Sequence, residues 1–265
     1  MTVWLDGDWL GDGAAVCAAD DRGLLLGDGL FETLRFSGGR LLRQAAHEQR
    51  LRASCAALDL ACPLDRIALA AIVGEMAARA GLRQAAIRLT LSAGSGQRGL
   101  ARPAMAQPSC LITAAPLPEA PASLSLATVS QRRSPSSIAA RHKTLSYIDN
   151  AIARREAVRA GAGMALLLDT DGHLSGTDCA NLFWMRDGRL FTPALECAVL
   201  PGTVRGAIMA EAAVEQGRFT PDELAQADCV FVTNALMGAV AVTGIDGKPA
   251  GRAQPLPEAV SALLD

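Results

Sequence analysis

Lysine is nearly absent from this 265-residue chain. Of its 25 cationic side chains only Lys143 and Lys248 are lysines, and the rest are arginines. An arginine guanidinium supplies charge but does not lose its proton to become a nucleophile, whereas a lysine amine does and then forms an imine with a carbonyl. Lys248 lies in Asp246-Gly247-Lys248-Pro249, which is typical of a solvated turn. Lys143, within Arg141–Tyr147, is therefore the candidate for covalent chemistry, against the alternative of an ordinary surface lysine.

Other features are missing too, and each absence excludes a class of protein. The formal net charge of -2 gives no basis for a nucleic-acid or anionic-membrane partner. No apolar run is long enough to span a bilayer, and the first residues lack the basic and apolar regions of a signal peptide. The seven cysteines are odd in number and form no CxxC pair, which is typical of small apolar core residues in a reducing compartment. We therefore expect a cytoplasmic protein.

Several catalytic and metal-binding motifs are also missing. The three histidines share no spacing typical of metal ligands, so no metal site is predicted. The sequence contains no Gly-x-Ser-x-Gly elbow and no Walker loop. Apolar residues make up 50% and charged residues 20% of the chain, the balance of a soluble globular protein with a sizeable core.

Hydrophobic periodicity predicts a mixture of hairpins and helices. Leu30–Phe36 and Arg40–Leu42 flank a Ser-Gly-Gly turn, as in a hairpin. Helical spacing covers residues 46–60, 66–80 and 147–160, and a further helix is predicted from Thr203 to about Glu215. Other strands are predicted at residues 87–92, 123–130, 164–168, 181–185, 189–192, 229–233 and 239–243. A proline-rich linker at residues 116–121 divides this α+β chain into two lobes, an N-terminal α/β domain over residues 1–117 and a C-terminal domain over residues 118–265.

Several segments have the composition of an anion-binding site. Leu200–Gly206 is a glycine loop leading into a helix, whose amino terminus presents N–H groups and the positive end of the dipole to a phosphate. A plain helix cap is the alternative. Arg50 on a predicted helix and Arg88 in a predicted strand either bind a phosphate or carboxylate in bidentate geometry or form ordinary salt bridges. Arg98 lies in the loop Gly94–Gly99, which either traps an anionic substrate or is simply mobile.

Taken in chain order, these segments resemble the class IV, fold-type IV family of pyridoxal-phosphate enzymes. That family includes branched-chain aminotransferases, D-amino-acid aminotransferases and 4-amino-4-deoxychorismate lyases. The matching segments span nearly the whole chain and are Gly29–Arg35, His47 with Arg50-Leu51, Lys143 with Asn150, Asn181–Phe183, Thr192-Pro193, Leu200–Arg205 and Thr233–Ala235. The resemblance implies a two-lobed fold like that of D-amino-acid aminotransferases, with a smaller N-terminal and a larger C-terminal lobe. It also implies pyridoxal 5'-phosphate as cofactor, an amino-acid-like substrate and a homodimer.

The resemblance further implies a role for individual residues. Lys143 would hold the cofactor as an imine and then act as general base and acid at the substrate Cα. Tyr147 lies near the position of a tyrosine that contacts the ring hydroxyl in some members. The remaining cofactor contacts, mostly to the phosphate, would come from Arg50, Gly202, Thr203, Val204, Thr233 and Asn234. Substrate contacts would come from Phe31, Arg88 and Arg98, the last of which receives a substrate carboxylate in some members.

One position departs from the family's pattern. Members usually carry a glutamate five residues before the asparagine of Asn-Leu-Phe, and this chain has Gly176 there. That acid pairs with the protonated pyridine nitrogen and keeps the ring an effective electron sink. A water, Asp178 or a residue from elsewhere would have to substitute for it. Otherwise the nitrogen stays neutral, which would impair transamination most or leave the chain inactive.

Within the family, the short chain and the segment Thr233–Gly238 favour the 4-amino-4-deoxychorismate lyase branch. Such a lyase eliminates pyruvate from aminodeoxychorismate and gives 4-aminobenzoate for folate synthesis. A D-amino-acid or branched-chain aminotransferase is the alternative. A non-catalytic member that binds the cofactor or a partner protein is an alternative of another class, motivated by Gly176. Lys143 argues against it, because a pure binding module needs no amine in a chain so poor in lysine.

Overall fold

The computed structural model describes residues 2–11, 13–104 and 106–252, together with residues 256 and 260. Its contacts divide the chain into two compact units. The N-terminal unit runs to Pro118 and also contains Lys143–Ser146, and the C-terminal unit contains Glu119–His142 and the chain from Tyr147 onward. Within the described ranges, no helix combines the length and the apolar character that crossing a membrane requires.

The N-terminal unit is built on a six-stranded antiparallel sheet in the order β2-β1-β6-β5-β3-β4. Its strands are β1 (Thr2–Leu5), β2 (Asp8–Leu10), β3 (Gly29–Ser37), β4 (Arg40–Leu41), β5 (Gln84–Ser92) and β6 (Ser109–Pro116). Its helices are α1 (Arg22–Leu26), α2 (Gln44–Ala57) and α3 (Leu69–Ala80), with a 3-10 turn at Pro63–Asp65. The β3–β4 hairpin turns at Gly38 and Gly39, whose φ angles of 58° and 78° are left-handed and favour glycine.

The core of this unit follows from the period of two in its strands. Ile87, Leu89 and Leu91 of β5 are buried and pack with side chains of α2 and α3, whereas Arg88 between them is exposed. Burial raises the pKa of Cys55 to about 12, so this thiol stays protonated at neutral pH and acts as a small apolar core residue.

Residues 143–146 differ from the sequence expectation, which placed them in the C-terminal domain. They form a short bridge along the free edge of β3. The Phe31 amide donates to the Lys143 carbonyl over 2.8 Å, and the Leu145 amide donates to the Gly29 carbonyl over 3.0 Å. Gly29 permits this approach, because a Cβ there would lie 2.2 Å from the Leu91 carbonyl oxygen and 2.7 Å from Leu145 Cδ1. The backbone of Lys143 is therefore fixed to the N-terminal sheet.

The C-terminal unit is built on a nine-stranded mixed sheet. Its order is β12-β11-β10-β13-β14-β7-β8-β9, and β15 pairs with β14. The strands are β7 (Ser123–Arg133), β8 (Met164–Asp169), β9 (Leu174–Thr177), β10 (Asn181–Arg186), β11 (Arg189–Pro193), β12 (Val214–Gly217), β13 (Cys229–Asn234), β14 (Gly238–Ile245) and β15 (Lys248–Pro249). The helices are α4 (Ile138–Arg141), α5 (Ile148–Arg159), α6 (Thr203–Glu211) and α7 (Asp222–Ala225), with a 3-10 turn at Leu195–Cys197.

Both faces of this sheet are covered at β10 and β13. Leu182 and Trp184 point into one apolar cluster, while Phe183 points into another that contains Val204 and Ile208 of α6. Phe183 stacks on Phe231 of β13 with ring centroids 5.2 Å apart. This packing holds the amino terminus of α6 against the central strands.

The predicted length of α6 is wrong. The helix ends at Glu211 and not near Glu215, and Val214–Gly217 forms β12 instead. These residues pair in parallel with Leu190–Pro193 of β11. The strand partner lies far enough along the chain that a local helical pattern does not reveal it.

Candidate active site

Lys143 meets two of the predicted substrate residues within the N-terminal unit. Its Nζ lies 4.2 Å from the centroid of the Phe31 ring, and the Arg88 guanidinium carbon lies 3.9 Å from the same centroid. Arg88 also donates from Nε to Thr90 Oγ1 over 3.1 Å. Both cations gain a cation–π contact with the ring. The structure thus brings Phe31, Arg88 and Lys143 together and concentrates positive charge there, an arrangement that suits an anionic group.

Arg50 is held by a buried acid that sequence reasoning did not single out. Glu32 is 3% exposed, and it accepts from Arg50 Nε over 2.8 Å and from Arg50 Nη2 over 2.6 Å. His47 Nδ1 lies 2.7 Å from Glu32 Oε2. Burial by itself raises the pKa of Glu32, but the hydrogen bonds from Arg50 and His47 outweigh it and lower the pKa to about 2. Glu32 is therefore a permanent carboxylate that fixes the orientation of Arg50.

The state of His47 follows from the same arrangement. Burial lowers its pKa, and the opposing hydrogen bond to Glu32 does not reverse that shift. At neutral pH the imidazole is uncharged and donates from Nδ1 to the carboxylate.

Arg98 lies on an exposed loop, and the contacts that define the Lys143 cluster do not include it. The following residues are held by Arg22, which is 4% exposed. Arg22 donates to the carbonyls of Gly99, Leu100 and Ala101 over 3.3, 2.8 and 3.2 Å. Sequence reasoning did not identify Arg22, because nothing local distinguishes it from the other arginines.

Apart from Arg50, which lies in the N-terminal unit, the predicted phosphate residues belong to the C-terminal unit. Gly202 is the N-cap of α6, so Thr203 and Val204 form the helix's first turn, where backbone N–H groups face outward. The side chain of Asn181 donates to the Leu200 carbonyl over 2.9 Å and occupies the space beside Gly202, since a Cβ there would lie 1.8 Å from Asn181 Oδ1. This close approach shapes a cradle at the amino terminus of α6.

The side chains of Thr233 and Asn234 bear on whether a phosphate fits this cradle. Asn181 pairs in register with Thr233, whose Oγ1 is buried without a hydrogen-bond partner among the residues that the structure describes. A buried hydroxyl without a partner is costly unless a ligand supplies one. Asn234 instead uses its side-chain oxygen to accept from the amides of Leu236 and Met237, each over 3.0 Å. The donor set of the cradle fits the phosphate of pyridoxal phosphate.

The surroundings of Gly176 differ from those expected of a cofactor site that has a glutamate at this position. Tyr147 is the half-buried N-cap of α5 in the same unit. Asp178, one suggested substitute for the acid, is already engaged, because its carboxylate accepts from Arg154 Nε over 2.5 Å and from the Ala165 amide over 2.9 Å. Asp178 therefore stabilises the fold around the β9–β10 turn and leaves position 176 without a carboxylate.

One group of possible metal ligands lies in the β8–β9 turn, although the histidine spacing gave no reason to predict it. Ligand atoms of Asp169, Asp171 and His173 all lie within 4.8 Å of one another. The Asp169 carboxylate accepts from the amides of Asp171 and His173 over 2.9 and 2.8 Å. The Asp169 carboxylate therefore has a structural role, because these two hydrogen bonds cap the turn.

We expect Gly202→Ala to weaken cofactor binding. The new methyl group would displace Asn181 from the start of α6, and we expect the distorted cradle to bind the cofactor roughly tenfold more weakly. Gly206→Ala is the matched control in the same helix, because a Cβ at Gly206 meets nothing within 4 Å. Titration of each apoprotein with pyridoxal phosphate, followed by absorbance, gives the two constants. Equal constants for both variants would contradict a cofactor site at the start of α6.

The chain is similar to known proteins over most of its length. The model of the amino-transferase class IV family matches residues 29–245. A protein of Methanocaldococcus jannaschii named "Putative branched-chain-amino-acid aminotransferase" is 31% identical over 257 residues, which cover 94% of this chain and 89% of that protein. The aminodeoxychorismate lyase of Vibrio harveyi is 28% identical over 237 residues, covering 85% and 86% of the two chains. The solved structure "A hypothetical aminotransferase from Mycobacterium tuberculosis, PLP-bound form" has a TM-score of 0.86 and 26% identity, covering 100% of this chain and 99% of that one.

Proposed function

We propose that this chain, which belongs to the class IV aminotransferase family and is a pyridoxal-phosphate-dependent enzyme, acts as a 4-amino-4-deoxychorismate lyase. In this reaction pyruvate is eliminated from aminodeoxychorismate and 4-aminobenzoate is formed, which would place the enzyme in folate synthesis. The lyase named above in Vibrio harveyi supports this assignment.

The observation that carries the choice of lyase is the absence of a carboxylate at Gly176. When bound, pyridoxal phosphate supplies an aldehyde for an imine and a ring that withdraws electrons. An acid beside the ring nitrogen strengthens that withdrawal, and a glycine supplies none. Formation of 4-aminobenzoate gains the stability of an aromatic ring, so it needs less electron withdrawal than amino-group transfer does. Gly176 therefore favours the lyase over the aminotransferase.

Each site residue has a proposed role in this reaction. Lys143 binds the cofactor aldehyde and then moves the proton at the substrate carbon. Arg88, stacked with Lys143 on Phe31, binds a substrate carboxylate. Arg50, oriented by Glu32, contributes to phosphate binding.

The remaining proposed contacts lie in the C-terminal unit and on the loop after β5. The cradle residues bind the phosphate through N–H and hydroxyl donors, and Tyr147 contacts the ring hydroxyl. Arg98 is exposed on its loop, where its guanidinium is available to a second carboxylate. The cradle is formed by Gly202, Thr203, Val204, Thr233 and Asn234.

A branched-chain aminotransferase is the second candidate, favoured by the name of the Methanocaldococcus jannaschii relative. A D-amino-acid aminotransferase is the remaining alternative within the family. Both would transfer an amino group to 2-oxoglutarate, whereas the lyase releases pyruvate and needs no amino acceptor.

Product analysis separates these candidates. The holoenzyme is supplied in parallel with aminodeoxychorismate, D-alanine and leucine, each with 2-oxoglutarate, and Lys143→Ala serves as the blank. We expect pyruvate and 4-aminobenzoate from the first substrate and no glutamate from the other two. Glutamate formed from leucine or D-alanine, without 4-aminobenzoate, would replace the lyase by the corresponding aminotransferase.

We also propose that the enzyme is a cytoplasmic homodimer. Leu24 and Leu25 of α1 are each 62% exposed and Leu100 is 84% exposed, and a second copy would remove such apolar side chains from water. Light scattering is expected to give the mass of two chains, and a monomer that retains full activity would contradict the dimer. Cell fractionation tests the compartment, where recovery outside the cytoplasmic fraction would contradict it.

A further inference from the structure

The guanidinium of Arg133 lies beside Gly176, the position at which the family resemblance implies a glutamate. Arg133 is the last residue of β7, and its Nη2 donates to the Thr177 carbonyl over 2.8 Å. Its Nη1 lies 3.7 Å from the point where a Cβ on Gly176 would stand. Among the described residues, the charged group nearest to the place of a Cβ at 176 is thus a cation and not a carboxylate.

The backbone at Gly176 shows that this arrangement is built into the fold. Gly176 has a φ angle of 147°, which side chains of L-residues rarely adopt, and a Cβ there would lie 3.2 Å from the Ala180 carbonyl oxygen. A glutamate placed on this backbone would be strained. The Asp178 carboxylate of this turn acts on Arg133 through its charge, but its hydrogen bonds go to Arg154 and to the Ala165 amide.

The same turn is connected to the phosphate cradle. Thr177 donates to the Ala180 carbonyl over 2.9 Å, which closes the turn directly before Asn181. Asn181 then packs against Gly202 at the start of α6. Burial lowers the pKa of Arg133, and electrostatic interactions with Tyr147 and Asp178 oppose that shift, so both groups lie within electrostatic reach of the guanidinium. Arg133 therefore shares a neighbourhood with the proposed ring-hydroxyl and phosphate contacts.

We infer that Arg133 faces the ring nitrogen of the bound cofactor in place of an acid and keeps that nitrogen unprotonated. A guanidinium only donates hydrogen bonds, so it pairs with a nitrogen lone pair and opposes a second positive charge beside it. The role of Arg133 depends on the proposed cofactor placement, and it deepens the proposed function by explaining how the chain lowers electron withdrawal by the ring.

Two cofactor forms test this role by binding alone. The probes are pyridoxal phosphate and its analogue methylated at the ring nitrogen, which carries a fixed positive charge there. We expect the wild type to bind the analogue at least roughly tenfold more weakly than the cofactor, because two positive groups would face each other. Arg133→Gln is expected to bring the two dissociation constants within about threefold of each other.

Matched variants distinguish the effect of the charge at position 133 from the effects of side-chain size and of misfolding. Arg133→Lys keeps a cation and is expected to retain the preference. Arg132→Gln removes an exposed neighbouring guanidinium, which donates to backbone carbonyls of β7, and should leave the ratio as in the wild type. Circular dichroism and the constant for unmodified pyridoxal phosphate verify that each variant is folded.

A second readout needs no variant. With cofactor labelled with nitrogen-15 in the ring, we expect the bound wild type to give the chemical shift of a neutral pyridine at pH 7. A pyridinium shift, or equal binding of both probes by the wild type, would overturn the role of Arg133 while leaving the cofactor site intact. Failure of the wild type to bind pyridoxal phosphate at all would instead refute the proposed placement.

Discussion

Replacement of Lys143 by alanine is expected to lower kcat by about 1000-fold or more and to abolish the long-wavelength absorbance of the bound cofactor. The structure fixes the backbone of this residue to β3 through the Phe31 amide, which donates to the Lys143 carbonyl, and holds the Lys143 Nζ at the Phe31 ring. In the role proposed for Lys143, this amine would form the covalent bond to the cofactor aldehyde and would carry the proton in the chemical step. Alanine supplies neither function.

Two controls make this experiment specific. Lys143→Arg keeps a cation over Phe31 but has no group that forms an imine, so it should be as inactive as alanine. Lys248→Ala removes the other lysine, which lies exposed in β15, and should leave activity unchanged. Activity in Lys143→Arg close to that of the wild type would show that Lys143 acts only through its charge.

Glu32→Gln is expected to lower the free energy of unfolding by about 3–5 kcal/mol, the usual result of removing one partner of a buried ion pair. Glu32 is 3% exposed and Arg50 11% exposed, so the guanidinium would lose its carboxylate with little solvent to replace it. Arg50 would also lose its fixed orientation, and we expect weaker cofactor binding as a result. Urea unfolding of the apoprotein measures the first effect and cofactor titration the second.

The exposed pair of α3 provides the control for this change. Glu75 accepts from Arg79 one helical turn away, and both side chains are about half exposed, at 51% and 48%. Glu75→Gln should therefore change stability by less than about 0.5 kcal/mol. Equal losses of unfolding free energy for Glu75→Gln and Glu32→Gln would show that the buried ion pair stabilises the fold no more than the exposed pair does.

The buried cluster of Glu32, Arg50 and His47 should also determine how the stability of the fold declines in acid. The pKa of Glu32 is depressed to about 2, so its contribution is complete above pH about 4.3, the ordinary glutamate value, and is lost as the pH falls toward 2. The pKa of His47 is lowered in the folded state too. As the pH falls below about 6.5, the unfolded chain therefore takes up the His47 proton more readily than the folded chain, and stability begins to decline. Glu32→Gln should flatten the decline of stability between pH 5 and 3. A decline as steep as that of the wild type would place the acid-sensitive group elsewhere.

Much of the fold is predictable because its signals are local. The alternation of Ile87, Arg88 and Leu89 predicts a strand, and the structure has it in β5, with Arg88 exposed between buried neighbours. Helical spacing gave α2, α3 and α5 to within a few residues of their ends. The α+β class follows from those elements and agrees with the family fold.

What sequence reasoning could not supply depends on residues far apart in the chain. The bridge between Lys143 and Phe31 joins positions more than a hundred residues apart, so no local pattern assigns residues 143–146 to the N-terminal unit. The strand β12 exists only because β11 is beside it. Glu32 and Arg133 were overlooked for a related reason. A charged residue in a strand is ordinarily solvated, and only the fold reveals that Glu32 is buried and that Arg133 lies beside Gly176.

Borohydride reduction of the holoenzyme followed by peptide mass spectrometry tests the central claim most directly. Reduction converts an imine between lysine and pyridoxal phosphate into a stable bond, and this chain offers only Lys143, Lys248 and the amino terminus as amines. We predict a single pyridoxyl phosphate group on the peptide that contains Lys143. Label on Lys248, on the amino terminus or on no peptide would contradict the assignment of Lys143 as the cofactor lysine.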